Sequence, residues 1–280
     1  MLLADAHIHL FERSFQSFFT GRPGVEIDEA ACYDSIARDH NVAAALVIGY
    51  EDEASYRGNT EYIALQRSHY NWIYPAAYIE PEAPPSLQKL EQWKNQGFVG
   101  LAIYIRPERI KAIQVFPDEI WSWMIQNRWF VSSNFKTAPC SSWIPVLEKH
   151  LDLRLMISHL GSPPPVKQPI NRDQAQHALA DQIQLSQFPQ VYVKLSGFYA
   201  ITDPGHDYPH EQAWPYVYTL LEAYGNERLL WGSDFSPSLD WLTFPQTFRL
   251  FEKMPFLDAQ SREKIAGANL LNLLDEVSES

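Results

Sequence analysis

Leu2-Leu3-Ala4-Asp5-Ala6-His7-Ile8-His9 opens the chain as a short apolar run that ends in two histidines one residue apart. Residues i and i+2 of a β-strand point to the same face, so His7 and His9 converge at the end of a first strand. Two convergent neutral imidazoles suit a divalent metal such as zinc. In a chain with 9 His among 280 residues, about 0.3 such pairs arise by chance, so position at the end of an apolar run sharpens what spacing alone leaves open. A satisfied or solvated pair is the alternative.

Outward from this stretch, short runs rich in β-branched and aromatic residues recur along the chain. They predict strands at 2–7, 42–49, 72–79, 99–105, 129–134, 153–158, 191–196 and 229–233. Amphipathic patterns between them predict helices, among them 28–39, 86–95, 142–149, 175–187 and 211–223, with Gly97 and Gly225 as stops. The units repeat every 25 to 40 residues or so, which leaves no room for a second domain. Eight of them imply an α/β fold of the (β/α)8 TIM-barrel type, a single domain over residues 1–280. No dinucleotide-type glycine-rich loop favours an open doubly wound sheet. Proline-rich stretches at 81–85 and 163–169 read as connections, because the alternation resumes after each.

Composition sets the class of partner. The chain is 46% hydrophobic and 20% charged, with ample material for a core. A net charge of −12 and the lack of a basic run argue against nucleic acid. No apolar run approaches the 18 or so residues of a membrane span, and the N-terminus lacks the pattern of a signal peptide, so a cytoplasmic location is expected. Cys32 and Cys140 are too few and too isolated for a disulfide framework or a thiolate metal site, and are expected to be buried thiols.

A barrel of this type collects its chemistry at the C-terminal ends of its strands. Polar residues fall there: His7 and His9 on the first strand, Tyr104 and Arg106 on the fourth, Asn134 and Lys136 on the fifth, His159 on the sixth, Lys194 and Ser196 on the seventh, Asp234 on the eighth. His159 leaves an apolar strand and enters a turn, where a bond to a loop carbonyl is its alternative role. Asp234 has a similar setting, and a carboxylate there needs a cation, a proton or donors beside it; capping of the following turn is its alternative.

Four segments in this order, Asp5-Ala6-His7-Ile8-His9, Ser158-His159-Leu160-Gly161-Ser162-Pro163, Val193-Lys194-Leu195-Ser196-Gly197 and Trp231-Gly232-Ser233-Asp234-Phe235, resemble the amidohydrolase superfamily. They are most similar to its amidohydrolase-2 branch, which holds sugar-acid and pyrone dicarboxylate lactonases and some decarboxylases. The resemblance implies a hydrolase that opens a lactone or related ester. It further implies that His7, His9 and Asp234 match metal ligands, that His159 polarises substrate or assists proton transfer, and that Asp234 serves as general base. Two departures bear on the metal. Asn134 stands where metal-dependent members usually offer a strand 5 histidine, and strand 4, Gly100-Leu101-Ala102-Ile103-Tyr104-Ile105, lacks a bridging lysine or glutamate. One divalent metal per chain, zinc by ligand type, is therefore expected in place of a pair, and catalysis without metal stays open.

Arg106, Asn134, Lys136 and Lys194 are the candidates for binding a small-molecule substrate. Structural ion pairs are an equal reading for the three cations. His206, Tyr208 and His210 sit in the long loop after strand 7 and suit either substrate contact or solvent. His40, His69, His150 and His177 fall on or beside predicted helices and read as surface residues. Phe11, Phe15, Phe18 and Phe19 suit a pocket wall or ordinary packing. Two other functions stay open, a decarboxylase of a small acidic substrate and a barrel without chemistry that binds a ligand. So does a homo-oligomer.

Overall fold

The predicted apolar runs become parallel strands that pair in sequence order: β1 (Leu3–Ile8), β2 (Val42–Ile48), β3 (Ile73–Ile79), β4 (Gly100–Ile105), β5 (Phe130–Phe135), β6 (Arg154–Ile157), β7 (Val191–Leu195) and β8 (Leu229–Trp231). The structure is a computed structural model and describes residues 2–13, 15, 27–135 and 137–278. The sheet curls round until the segment after β8 meets β1. There the Asp234 N–H donates to the His7 carbonyl at 2.8 Å, the His9 N–H donates to the Phe235 carbonyl at 2.5 Å, and Ile8 pairs parallel with Phe235. Helices fill the intervals, giving a (β/α)8 barrel.

Local chemistry sets the helix ends. Asp28 caps Glu29–His40 through its carboxylate and Ser86 caps Leu87–Asn95 through its hydroxyl. Gly97 and Gly225 follow helices with φ of 86° and 68°, the left-handed backbone that glycine adopts without strain. The predicted helix 175–187 is instead two, Arg172–Ala178 and Ala180–Leu185. Its start moves toward the N-terminus because Asn171 and Gln174 form a reciprocal capping box. Cys140 is buried as expected, whereas Cys32 is exposed. Among the described residues no helix is long and apolar enough to cross a membrane.

Alternation along the strands sorts side chains into two layers. Leu3, Val47, Ile79, Ile103, Val131, Leu155, Val193 and Trp231 pack among the helices. Ala4, Leu46, Ala76, Ala102, Phe130, Met156 and Leu230 form an inner apolar layer. Leu270, Leu273 and Leu274 of the helix Asn269–Ser278 join that layer. The next step of two residues takes β2 to β4 to Ile48, Tyr78 and Tyr104, but takes β5 to β7 to Ser132, Ser158 and Lys194.

β1 departs from this rhythm. Ala4 and Ala6 belong to the inner layer, so strict alternation would turn His7 out toward the helices and Ile8 inward. Instead the register between β1 and β2 shifts between Asp5 and Ile8, and Ile8 packs with the outer layer. An irregularity of this kind re-aims side chains. It brings His7 and His9 together on the inside.

Candidate active site

His7, His9 and Asp234 are buried and place one ligand atom each within 4.8 Å of the others. His7 Nε2 lies 3.3 Å from His9 Nε2. Asp234 Oδ1 lies 3.6 Å from the former nitrogen and 3.9 Å from the latter. His9 Nδ1 bonds the Ile48 carbonyl at 2.9 Å, and since a carbonyl only accepts, neutral His9 carries its proton on Nδ1 and its lone pair on Nε2. Asp234 has a left-handed backbone, φ 58°, and its second oxygen, Oδ2, accepts from the Tyr199 hydroxyl at 2.6 Å. Two nitrogens and one oxygen thus face a common point, with Asp234 held from behind.

His159 completes the cluster. Its ring lies 4.6 Å from that of His7, and its Nδ1 is 3.0 Å from Ser196 Oγ, which also accepts from the His159 backbone N–H at 3.3 Å. Gly197 makes room for it. A Cβ at that position would stand 2.7 Å from His159 Nδ1, and the backbone there has φ 68°. Gly232 does the same beneath His7, where a Cβ would meet the His7 Cβ at 2.8 Å.

Below the three histidines, Lys194 is completely buried. Its Nζ donates to Ser132 Oγ at 2.7 Å and reaches His7 Nδ1 at 3.4 Å; Ser158 Oγ is 3.4 Å from the same nitrogen. Asp5, also buried, accepts from the backbone N–H groups of Ser233 at 2.8 Å and His7 at 3.2 Å and from the Tyr33 hydroxyl at 2.9 Å. It ties β1 to the segment carrying Asp234. Glu29 makes a parallel tie nearer the surface: Oε2 accepts from Phe11 N at 2.7 Å, and Oε1 accepts from Phe15 N at 2.8 Å and Ser236 Oγ at 2.6 Å.

Burial dominates the ionisation of these groups. It pushes His7 well below the usual imidazole range, with Lys194 adding to the effect, and pushes His9 down to about 4 against the opposing pull of Asp234. His159 is lowered by burial as well, again against Asp234. Burial lowers Lys194 to about 7 and raises Asp5 to about 7. The histidines are therefore neutral at pH 7 and available as ligands or hydrogen-bond donors.

Other residues singled out from sequence fall into distinct settings. Asn134 stands half-buried at the end of β5. Arg106 is held in an ion pair by Asp52, which Arg109 also approaches at 3.5 Å. Lys194 lies under His7 and has no exposed surface. Lys136 lies outside the described residues, as do Phe18 and Phe19. Phe11 stacks on His9 with ring centroids 5.6 Å apart, and Phe15 stacks on Phe11 at 6.0 Å. His206 is exposed and Tyr208 half-buried, while His210 is buried and bonded to Thr202 Oγ1 at 2.8 Å, a packing role. His69 and His177 are exposed; His40 and His150 are half-buried. Tyr199, Ser132, Ser158, Asp5 and Glu29 were not among the sequence candidates. For Ser132 and Ser158 the signal was available in the two-residue step from Phe130 and Met156. Tyr199 follows a turn and carried none.

Comparison with known proteins adds three likenesses. The fold superposes on an amidohydrolase of Burkholderia multivorans with bound zinc, TM-score 0.78 at 15% identity over 98% of this chain and 99% of that one. It superposes also on a probable 2-pyrone-4,6-dicarboxylic acid hydrolase of Acinetobacter baumannii with citric acid bound, TM-score 0.73 at 19% identity over 98% of this chain and 100% of that one. A stretch of 86 residues is 34% identical to L-fucono-1,5-lactonase of Burkholderia ambifaria; it spans 31% of this chain and 27% of that protein. The amidohydrolase family model matches residues 4–274, from the first strand to the last helix, and the chain belongs to that family.

Proposed function

We propose that this chain is a hydrolase that opens a lactone or related ester, acting as one barrel domain on a small molecule in the cytoplasm. The observation that carries the reading is the arrangement at Asp234: Oδ2 is held by Tyr199 while Oδ1 faces the two histidine nitrogens. The lactonase and pyrone hydrolase among the similar proteins support the choice of reaction.

Water is a weak nucleophile at pH 7 unless a base takes its proton. Asp234 Oδ1 is the base. As the water oxygen bonds to the lactone carbonyl carbon, its proton passes to Oδ1, and negative charge builds on the former carbonyl oxygen. Imidazole N–H groups directed at that oxygen stabilise it; His7 and His159 are the donors in this scheme. The ring C–O bond then breaks, and the departing alkoxide takes the proton back from Asp234. One water is consumed and a hydroxy acid is released.

His7, His9 and Asp234 would hold a divalent ion, and the donor set fits: two imidazole nitrogens and a carboxylate oxygen, buried and close together, are the ligand types of a catalytic zinc site. Bound there, zinc would lower the pKa of water and polarise the carbonyl.

The test is a panel of sugar-acid lactones, pyrone dicarboxylates and acidic aromatic carboxylates, offered to wild type and Asp234→Asn with and without added zinc. Ring opening by wild type and its loss in the variant are expected. Release of carbon dioxide without ring opening, or no turnover of any lactone, overturns the reading.

A further inference from the structure

The turn that carries His159 has a backbone its side chains do not favour. From His159 to Ser162 four successive residues are left-handed, with φ of 53°, 55°, 77° and 56°, and only the third, Gly161, is a glycine. An ordinary side chain disfavours that conformation because its Cβ crowds the following carbonyl, and a residue as bulky as Leu160 is a clear outlier there. Such a run persists where its surroundings hold it. Part of the hold is local: the Gly161 N–H donates to the Ser158 carbonyl at 2.9 Å and the Ser162 N–H to the His159 carbonyl at 2.7 Å. The rest comes from behind. Gln182, buried in the helix Ala180–Leu185, donates through Nε2 to the Leu160 carbonyl at 3.3 Å and to the Gly161 carbonyl at 3.1 Å. Facing two carbonyls, this side of the amide must be nitrogen, with one N–H for each. Glycine at 161 permits the approach, since a Cβ there would stand 2.4 Å from Gln182 Nε2. Gln182 is fixed in turn by the Tyr224 hydroxyl, which donates to its backbone carbonyl at 2.6 Å.

We infer that Gln182 is a positioning residue for His159: by holding the carbonyls of Leu160 and Gly161 it keeps the turn left-handed, and the turn fixes where the imidazole stands. The lever is short. Without the amide, Leu160 is free to relax toward ordinary backbone, which would rotate the chain at its neighbour and pull His159 from Ser196, whose Oγ now lies 3.0 Å from Nδ1 and 3.3 Å from the backbone nitrogen. The inference rests on the role given to His159 in the proposed hydrolase and deepens it. It does not depend on which lactone is opened.

The test reads the His159 ring directly, by 1H–13C spectra of full-length, histidine-labelled protein, with the signal assigned by its loss in His159→Gln. Gln182→Met keeps the bulk and removes both donors, and should shift or split the His159 signal while those of His69 and His177 stay in place. Gln182→Asn, whose amide falls one carbon short, should do the same and stands in if Gln182→Met does not fold. Leu185→Ala is the control, because it opens a cavity under the same helix without touching the turn, and should lower the melting temperature with the His159 signal unmoved. An unmoved signal in the Gln182 variants, or an equal shift in Leu185→Ala, overturns the inference. One measurement needs no variant: the Gln182 side-chain N–H protons of wild type should exchange slowly with solvent, and fast exchange overturns the inference equally. On a responsive lactone, Gln182→Met should lower kcat by up to about a hundredfold with KM changed less. Added to His159→Gln it should cost little more, because both changes act through one imidazole, and full additivity overturns the inference. A shifted His159 signal in a chain that opens no lactone supports the positioning role and breaks the hydrolase reading alone.

Discussion

The two walls of the barrel are built from the same strand geometry but carry opposite chemistry. Above a shared apolar layer, β2 to β4 present Ile48, Tyr78 and Tyr104, and Tyr104 stands 5.0 Å from Tyr50, ring to ring. β5 to β7 present Ser132, Ser158 and Lys194 at the same height. β1 and the segment after β8 lie between the walls and carry His7, His9 and Asp234. The contrast implies a division of labour. Under the proposed hydrolase reading, the polar wall would hold the histidines and the aromatic wall would keep water from the seam, which would strengthen every charge interaction there.

Four experiments break or sharpen that division. The largest effect is expected at the seam. Asp234→Asn keeps the shape but removes the base, and should lower kcat on the responsive lactone by about 10²- to 10⁴-fold with the melting temperature near that of wild type. A folded variant at near wild-type rate places the base elsewhere.

Next comes acid. His9, whose folded-state pKa is lowered to about 4, binds fewer protons than in the unfolded chain once the pH falls below about 6.5. Its contribution is fully present above that value and is lost as the pH falls toward 4, on the order of 3 kcal/mol. Thermal unfolding followed from pH 7 to 4 should show the loss, and His9→Gln should reduce it. A flat profile in wild type would mean that the imidazoles at the seam are not desolvated as the fold implies.

Gly197→Ala is expected to cost about 1–2 kcal/mol for the left-handed backbone alone. Because the added methyl meets His159 Nδ1, activity should fall as well. Unfolding and turnover measured on the same preparation check this; destabilisation with full activity removes His159 from the reaction.

The smallest change is expected on the aromatic wall. Tyr50→Phe loses the bond from the Tyr50 hydroxyl to Glu53 at 2.7 Å, and should alter kcat by less than about threefold while KM shifts. A loss comparable to that of Asp234→Asn would abolish the distinction between the walls.

Reading the short apolar runs located every strand within two residues at either end, because barrel strands are buried on both faces and read as near-continuous apolar stretches. It also placed His7, His9, His159 and Asp234 at strand ends, where the structure groups them. What it could not carry was phase. The shift in β1 between Asp5 and Ile8 decides whether His7 faces its partners or the helices, and nothing in Asp5-Ala6-His7 marks it. Pairing was equally hidden. Arg106 suits a substrate contact and a structural ion pair equally in the sequence, and only the fold shows Asp52, 54 positions away, holding it, as only the fold shows Lys194 ending in the barrel interior. Side chains that act through a neighbour, such as Tyr199 on Asp234, depend on distances that only the folded chain defines.

Glu29 has a consequence for anyone recombining this barrel with its relatives. One carboxylate closes bonds to the chain after β1, at Phe11 and Phe15, and to the chain after β8, at Ser236. Those two loops are thus not separate modules that can be exchanged singly. A graft after β8 alone removes one of the two donors to Oε1, and a graft after β1 that moved the Phe11 N–H would leave Oε2 without its donor inside the protein, where an unmet bond costs about 1–3 kcal/mol. Loop exchange at this mouth should succeed when both loops and the glutamate travel together as one cassette.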